Sequence, residues 1–208
     1  KTSKLNLING SGVNLSEFRK KKPPQKPIFL MLARLLKDKG LLEYIDAAKI
    51  VKRERGDVIF RLAGFYDPNN PSTISHDEFK KLTSNNDIEY LGEIGDVKTE
   101  ISKCRFYVLP SYREGTPRSV LEALSTGRVI ITTNAPGCKE TVINRINGIK
   151  INPKDSIGLA NAMFELLKKK DEDIIAMSNE SRKLAENKYD VKKINQEIIN
   201  IIDSKWNT

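Results

Sequence analysis

The sequence predicts an α/β protein built on a doubly wound parallel sheet of Rossmann-like type. Three observations carry this. Apolar runs of strand length recur along the chain, as in IFLMLA at 28–33, FYVLP at 106–110 and VIITT at 129–133. These runs lack the polar alternation of a sheet with one wet face, so they suit strands buried on both sides. Most are followed by a segment with apolar residues at helical spacing, the alternation that builds parallel sheets through crossover helices.

Taken in order, residues 1–27 differ in character from the rest. LNLIN at 5–9 has the composition of a short strand, GSGVNLSEF reads as turn and loop, and RKKKPPQKP at 19–27 as a basic, proline-rich connector. IFLMLA opens the regular alternation. A helix over 41–54 follows, with Leu41, Leu42, Ile45, Ala48 and Ile50 at mixed three and four spacings. VIFRLAG at 58–64 is the second strand. The polar loop FYDPNNPST then leads to a helix near 75–84, where Ser75 and Glu78 stand at capping-box spacing. IEYLG at 88–92 is a strand, 97–104 a short helix, FYVLP a strand, 117–126 a helix and VIITT a strand. GIKIN at 148–152 is the last strand, and helical patterns cover roughly 155–169, 171–187 and 191–204. The chain divides into an interdomain segment and linker (1–27), a Rossmann-like domain (28–190) and a C-terminal helix (191–208).

Composition narrows the chemistry. With 208 residues, 38% hydrophobic and 30% charged, the chain has the makings of a soluble globular protein. No run of 18 apolar residues is present to span a membrane, and the start KTSKLNLING lacks the apolar core of a signal peptide. Two cysteines, Cys104 and Cys138, and a single histidine, His76, argue against a zinc site and a histidine-based triad. A reduced, cytoplasmic setting is the default expectation. The net charge of +9 fits a lysine-rich surface, an anionic substrate or an anionic membrane face. Nucleic acid is the least supported partner, because aromatics are not interleaved with the basic residues.

In doubly wound sheets ligands bind at the carboxyl ends of the strands, so the loops there carry the candidate chemistry. The first, RLLKDKG, places Arg34 and Lys39 five apart with Gly40 at the turn into a helix. Two cations beside a helix start suit a diphosphate, although the spacing equally allows two solvated surface charges. Neither a P-loop nor a G-x-G-x-x-G fingerprint follows a strand. The loop after FYVLP reads YREGTPRSVLEAL and puts Glu114 before the helix start and Glu122 inside the helix. Pro117 suits the first helical position with Thr116 as its cap, leaving N–H groups of Gly115, Arg118 and Ser119 free for an anion. A carboxylate at 122 repels phosphate but accepts hydrogen bonds from a vicinal diol. A ligand with both an anion and hydroxyls, such as a nucleoside diphosphate sugar, reconciles the two. The plainer alternatives are that Glu122 balances Arg118 on an exposed helix and that Glu114 is a surface charge beside Arg113.

LARLLKDKG, REGTPRSVLEALSTGRVIITTNAPGCKETV and NGI together resemble the C-terminal, donor-binding domain of retaining family 4 glycosyltransferases, which have the GT-B fold. Glu114 and Glu122 match the E-x7-E signature, and Arg34 and Lys39 match R-x4-K, with Ala33 where a glycine is usual. INGSGVNLSEF is similar to the segment where such chains enter their second domain, and EGTPRSVLEAL is closest to bacterial enzymes assembling surface polysaccharides or lipid-linked oligosaccharides. The resemblance implies that Arg34 and Lys39 neutralise the donor diphosphate, Glu122 holds the ribose and Glu114 lies beside the transferred sugar. It further implies backbone contacts from Gly115, Thr116 and Pro117, base contacts along Gly92–Val97, and close approach at Gly64. The donor is a nucleotide sugar, with UDP favoured, and neither metal nor cofactor is expected. The acceptor, a glycan or lipid-linked saccharide, belongs to an N-terminal domain absent from these 208 residues, and the cytoplasmic membrane face is a natural location. A chain of this extent is then expected to be a fragment that binds without transferring. Under the same resemblance Trp206, Ile194, Ile198, Ile201 and Ile202 either face the absent domain or pack on this one. A non-catalytic sugar-nucleotide module and a nucleotide-sugar epimerase relative are the competing functions.

Overall fold

The computed structural model describes residues 8–206. Six strands form one fully parallel sheet: β1 (Ile28–Leu32), β2 (Ile59–Ala63), β3 (Glu89–Tyr90), β4 (Phe106–Leu109), β5 (Val129–Thr133) and β6 (Gly148–Ile151). Among the described residues seven α-helices accompany them: α1 (Leu41–Glu54), α2 (His76–Leu82), α3 (Val97–Lys103), α4 (Arg118–Ser125), α5 (Ser156–Leu167), α6 (Asp171–Lys188) and α7 (Val191–Trp206). The expected strand at 5–9 falls mostly outside the described residues. The strand expected over 88–92 is only two residues of ladder, because β3 pairs solely through Glu89 and Tyr90 at the sheet edge.

The strand order is β3-β2-β1-β4-β5-β6. The chain winds outward from β1 through β2 to β3, then returns to the centre and winds the other way from β4. Winding direction therefore reverses between β1 and β4, and the crevice outside their carboxyl ends is where such sheets receive ligands. The apolar runs explain the core. Every residue of β1, β4 and β5 is buried, and Phe29 stacks on Phe60 and Phe106 at centroid distances of 5.3 and 4.6 Å, tying β1 to both neighbours. Helix α1 packs against α5, and α4 against α6. Tyr44 of α1 is fully buried, which pushes its pKa upward, and its hydroxyl donates to the carbonyls of Phe29 and Arg61.

The basic segment 19–27 is not a loose tether. Three arginines spend their donors on its carbonyl oxygens and those beside it. Arg128, fully buried, donates to Cys104 O at 2.8 Å, Thr126 O at 3.0 Å and Lys21 O. Arg105 donates to Pro24 O at 2.8 Å and Arg182 to Phe18 O at 3.0 Å. Burial lowers the Arg128 pKa, and carbonyl dipoles in place of a carboxylate solvate its charge. Upstream, the Val13 N–H donates to Tyr189 O and its carbonyl accepts from Val191 N–H, so the incoming segment lies against the start of α7. Within α7, Ile194 is buried on this domain, Ile198 and Ile201 are half-buried, and Ile202 is exposed. The side chain of Trp206 lies outside the described residues.

Candidate functional site

The loops that leave β1 and β4 are built as one unit. After β1 the chain makes a 3-10 turn at Lys37–Lys39 and reaches α1 through Gly40, whose φ of +73° is the left-handed conformation that glycine adopts without strain. A Cβ there would sit 2.2 Å from Pro110 O. The β4 loop is bonded to this turn: Tyr112 N–H and Ser111 Oγ both donate to Asp38 O, at 2.9 and 3.0 Å. Thr132 and Thr133 at the end of β5 donate to Leu109 O and Ser111 O from the other side. Gly137 closes the frame, because its φ of +82° and a Cβ position 2.1 Å from Glu114 O leave room for no side chain.

This frame brings the two sequence motifs into contact. Lys39 Nζ lies 2.6 Å from Glu114 Oε1, with side-chain exposures of only 20% and 13%. Neither residue is a free surface charge, and Glu114 pairs with Lys39 rather than with its neighbour Arg113. Arg34 is more open and donates through Nη1 to Asp67 Oδ2 at 3.0 Å. Helix α4 begins one residue later than expected. Pro117 occupies the cap position with no side-chain bond, so Thr116 does not cap the helix. Thr116 instead packs against Gly10, whose added Cβ would fall 2.6 Å from the threonine Cβ. Ser119 Oγ, donating to Leu32 O at 3.4 Å, holds the first turn of α4 against the end of β1. Among the described residues the N–H groups of Gly115, Thr116, Arg118 and Ser119 have no backbone or side-chain acceptor, so this helix start retains its donors for an anion.

Glu122 points inward rather than into solvent. Its side chain is 10% exposed, while that of its partner Arg118, Nε at 3.0 Å from Oε1, is 76% exposed. The alternative of an exposed pair holds for the pairing but not for the exposure of Glu122: the helix face that carries it is covered by the segment Ser11–Phe18, with which Glu122 and Arg118 line a cavity of about 210 Å³. Burial raises the Glu122 pKa, and the Arg118 hydrogen bond opposes it only in part. A carboxyl whose folded pKa lies above its unfolded value binds more protons when folded, so its ionisation destabilises the fold as pH rises through that range. Glu122→Gln should therefore be as stable as the wild type or more so at pH 7, with the difference vanishing near pH 4. A gain of about 1 kcal/mol would raise Tm by roughly 2–4 °C for a domain of this size. Thermal melts across that pH range measure it, and a pH-independent loss of stability would show that Glu122 is held chiefly by favourable pairing.

On the β2 and β3 side, Gly64 N–H donates to Gly92 O at 2.9 Å and Tyr90 OH donates to Gly64 O at 2.8 Å. Gly64 is required sterically, because a Cβ would lie 1.7 Å from Ala33 O. Gly92, Gly95 and Gly115 are different: an added Cβ at each meets no atom within 4 Å, so these backbones, in the loops after β3 and β4, face open space. Val97 opens α3 behind the cap residue Asp96, which accepts from Thr99 N–H. The loops that follow β1 to β4 thus carry Arg34, Lys39, Gly64, Gly92 and Glu114, with Lys39 and Glu114 in contact, whereas Glu122 lines the cavity beneath Ser11–Phe18. Cys138 lies beneath them, its thiol pushed up by burial and near enough to Glu114 and Lys39 to sense both charges. Sequence reasoning missed Asp67 as the partner of Arg34, since the two lie 33 residues apart. A cavity of about 910 Å³ is lined by Lys20, Arg145, Ile146 and residues of α6, and none of the sequence-predicted site residues lines it. Among the described residues no three His, Cys, Asp or Glu side chains converge as a metal site, and no helix is long and apolar enough to cross a membrane.

Fold and site together define a Rossmann-like α/β domain whose charged groups meet at the topological switch point. The chain belongs to the family of glycosyl transferases group 1, whose model matches residues 14–197. It is 33% identical over 181 residues to the N,N'-diacetylbacillosaminyl-diphospho-undecaprenol alpha-1,3-N-acetylgalactosaminyltransferase of Campylobacter jejuni, covering 80% of this chain and 46% of that protein. It is 27% identical over 178 residues to the capsular polysaccharide biosynthesis glycosyltransferase CapM of Staphylococcus aureus, covering 85% and 45% respectively. The chain therefore spans about half the length of the curated relatives it matches. Among solved structures, Anabaena HepE in complex with UDP superposes with a TM-score of 0.81 at 22% identity, over 93% of this chain and 56% of that one. The C-terminal domain of the group 1 glycosyl transferase LpcC from Francisella tularensis superposes with a TM-score of 0.74 at 23% identity, over 86% of this chain and 99% of that domain.

Proposed function

We propose that the chain is the donor-binding half of a retaining GT-B glycosyltransferase that moves a sugar from a nucleoside diphosphate, with UDP favoured, to a glycan or lipid-linked acceptor. The observation that carries this is the Lys39–Glu114 contact, which joins the diphosphate motif to the sugar motif at the switch point. Arg34, Lys39 and the open helix start at Pro117 supply positive potential where the leaving diphosphate gains charge. Because side chains and N–H dipoles provide it, the site needs no divalent metal. Glu122 accepts from the ribose hydroxyls in exchange for Arg118, and the open backbones at Gly92 and Gly115 allow close approach of base and sugar.

In the transfer step the bond between the anomeric carbon and the diphosphate oxygen breaks, and its electron pair leaves with the phosphate. The acceptor hydroxyl forms the new bond on the same face of the sugar, and its proton passes to the departing phosphate oxygen. Glu114, already engaged by Lys39, holds the sugar hydroxyls during that exchange. Binding the acceptor and excluding water fall to a preceding domain that these residues do not include, at the cytoplasmic face of an anionic membrane. The names of the relatives, one a transferase acting on a diphospho-undecaprenol-linked sugar and one a glycosyltransferase of capsular polysaccharide biosynthesis, support a glycan or lipid-linked acceptor.

The 208 residues are accordingly expected to bind UDP with EDTA present and to transfer nothing to a lipid-linked or glycan acceptor. A thermal-shift panel of UDP, GDP, ADP and their sugars identifies the base, and a transfer assay completes the test. Dependence on divalent metal, or robust transfer by this chain alone, would contradict the proposal. An enzyme including the preceding domain that binds the donor but transfers no sugar would instead indicate a non-catalytic module.

A further inference from the structure

The stretch Phe65–Thr73, between β2 and α2, holds the loop that carries Arg34 and Lys39. The two run side by side. Leu35 N–H donates to Phe65 O at 3.1 Å, Lys37 N–H to Ser72 O at 2.8 Å and Asp38 N–H to Ser72 Oγ at 3.0 Å, while Leu36 and Thr73 form an antiparallel bridge. The stretch also braces itself. Asp67 O accepts from Asn70 N–H at 3.1 Å and from Thr73 Oγ1 at 2.5 Å, Ser72 N–H donates to Asn70 Oδ1 at 2.9 Å, and Pro68 and Pro71 fix φ. From this braced frame one side chain reaches across, and Asp67 Oδ2 accepts from Arg34 Nη1 at 3.0 Å.

We infer that Asp67 is a positioning residue for Arg34, holding the guanidinium at the end of β1 with its remaining donors directed to a nucleoside diphosphate. The inference rests on the function proposed above. Arginine presents five N–H donors in a planar fork, and the contact through Nη1 leaves the others for phosphate oxygens. Its long side chain would otherwise lose rotamer freedom on binding, and a partner on a rigid frame imposes that restriction beforehand. The opposite consequence is conceivable for an acidic neighbour, namely masking of positive charge, and it has the opposite sign: its removal would tighten anion binding. The Asp67 side chain makes no bond to its own loop, so its truncation leaves the backbone frame intact.

The test is calorimetric titration of this chain with UDP and with uridine, in EDTA, for wild type, Asp67→Ala, Asp67→Glu, Arg34→Ala, the double variant and Lys39→Ala. Asp67→Ala should weaken UDP about tenfold, a change of about 1.4 kcal/mol, while uridine moves little. Asp67→Glu should recover part of the loss, and the double variant should be no weaker than Arg34→Ala alone, as expected when one residue acts through the other. Unchanged or tighter UDP binding by Asp67→Ala would overturn the inference, and so would proportional losses for UDP and uridine. If Lys39→Ala separates UDP from uridine while Asp67→Ala does not, positioning by Asp67 fails and the proposed function stands. If the wild type binds no nucleoside diphosphate, both fall.

Discussion

Gly64→Ala is expected to lower the thermal midpoint of this domain by roughly 10 °C and to abolish nucleotide binding in what remains folded. The added methyl would fall 1.7 Å from Ala33 O, a backbone atom of the loop that begins at β1, and the φ of +155° at this position is one that side chains rarely adopt. Backbone strain costs about 1–3 kcal/mol and forced overpacking another 1–3 kcal/mol, so the sum is roughly 4 kcal/mol. Each kcal/mol lowers Tm by roughly 2–4 °C in a chain of this length. Relief can come only by moving Ala33 away from β2, which displaces Arg34 and the turn that presents Lys39. A melt by circular dichroism, with UDP titration of the folded fraction, measures both effects. A variant as stable as the wild type with unchanged affinity would show that the β1 and β2 ends are looser than their contacts imply.

The second large effect separates the two partners of the Lys39–Glu114 pair. Lys39→Ala removes a cation and leaves Glu114 as an unbalanced carboxylate facing the diphosphate. A charged hydrogen bond is worth about 1.5–3 kcal/mol, so a loss of roughly ten- to hundredfold in UDP affinity is expected, more when the freed carboxylate repels the ligand. Glu114→Ala should act oppositely on binding, because it frees Lys39 for phosphate and removes a negative charge. UDP affinity is then unchanged or improved, while transfer by an enzyme that includes the preceding domain falls sharply. Equal losses of UDP affinity in the two variants would mean that the pair only holds the loops together.

Much of this was legible beforehand. Continuous apolar runs mark strands covered on both faces, and β1, β4 and β5 lie where such runs occur, each residue buried. The strands β2, β3 and β6 carry Arg61, Glu89 and Lys150 and fall within the other segments expected as strands. The site was legible as far as local motifs reach, since Arg34 with Lys39 and Glu114 with Glu122 are each close in sequence. What was not legible depends on distant partners. Arg128 reads as one more basic residue, yet it is fully buried and fastens the segment at Lys21, over a hundred residues away. The proline-rich run at 19–27 looks like a free connector for the same reason. Thr116 has the composition of a cap, but Pro117 takes that position and Thr116 is spent against Gly10. Sequence left open whether Glu122 balances Arg118 on an exposed helix, whereas the segment 11–18 lies over it.

Under the proposed function one cleft, at the switch between β1 and β4, binds a nucleoside diphosphate through protein cations alone. Titration of the 208-residue chain with UDP in EDTA, for wild type and Lys39→Ala, tests it most directly. The expected result is saturable binding by the wild type without metal, weakened at least tenfold by Lys39→Ala while uridine binding is little changed. Binding that appears only when magnesium or manganese is added, or a Lys39→Ala variant that binds UDP as well as the wild type, would contradict it.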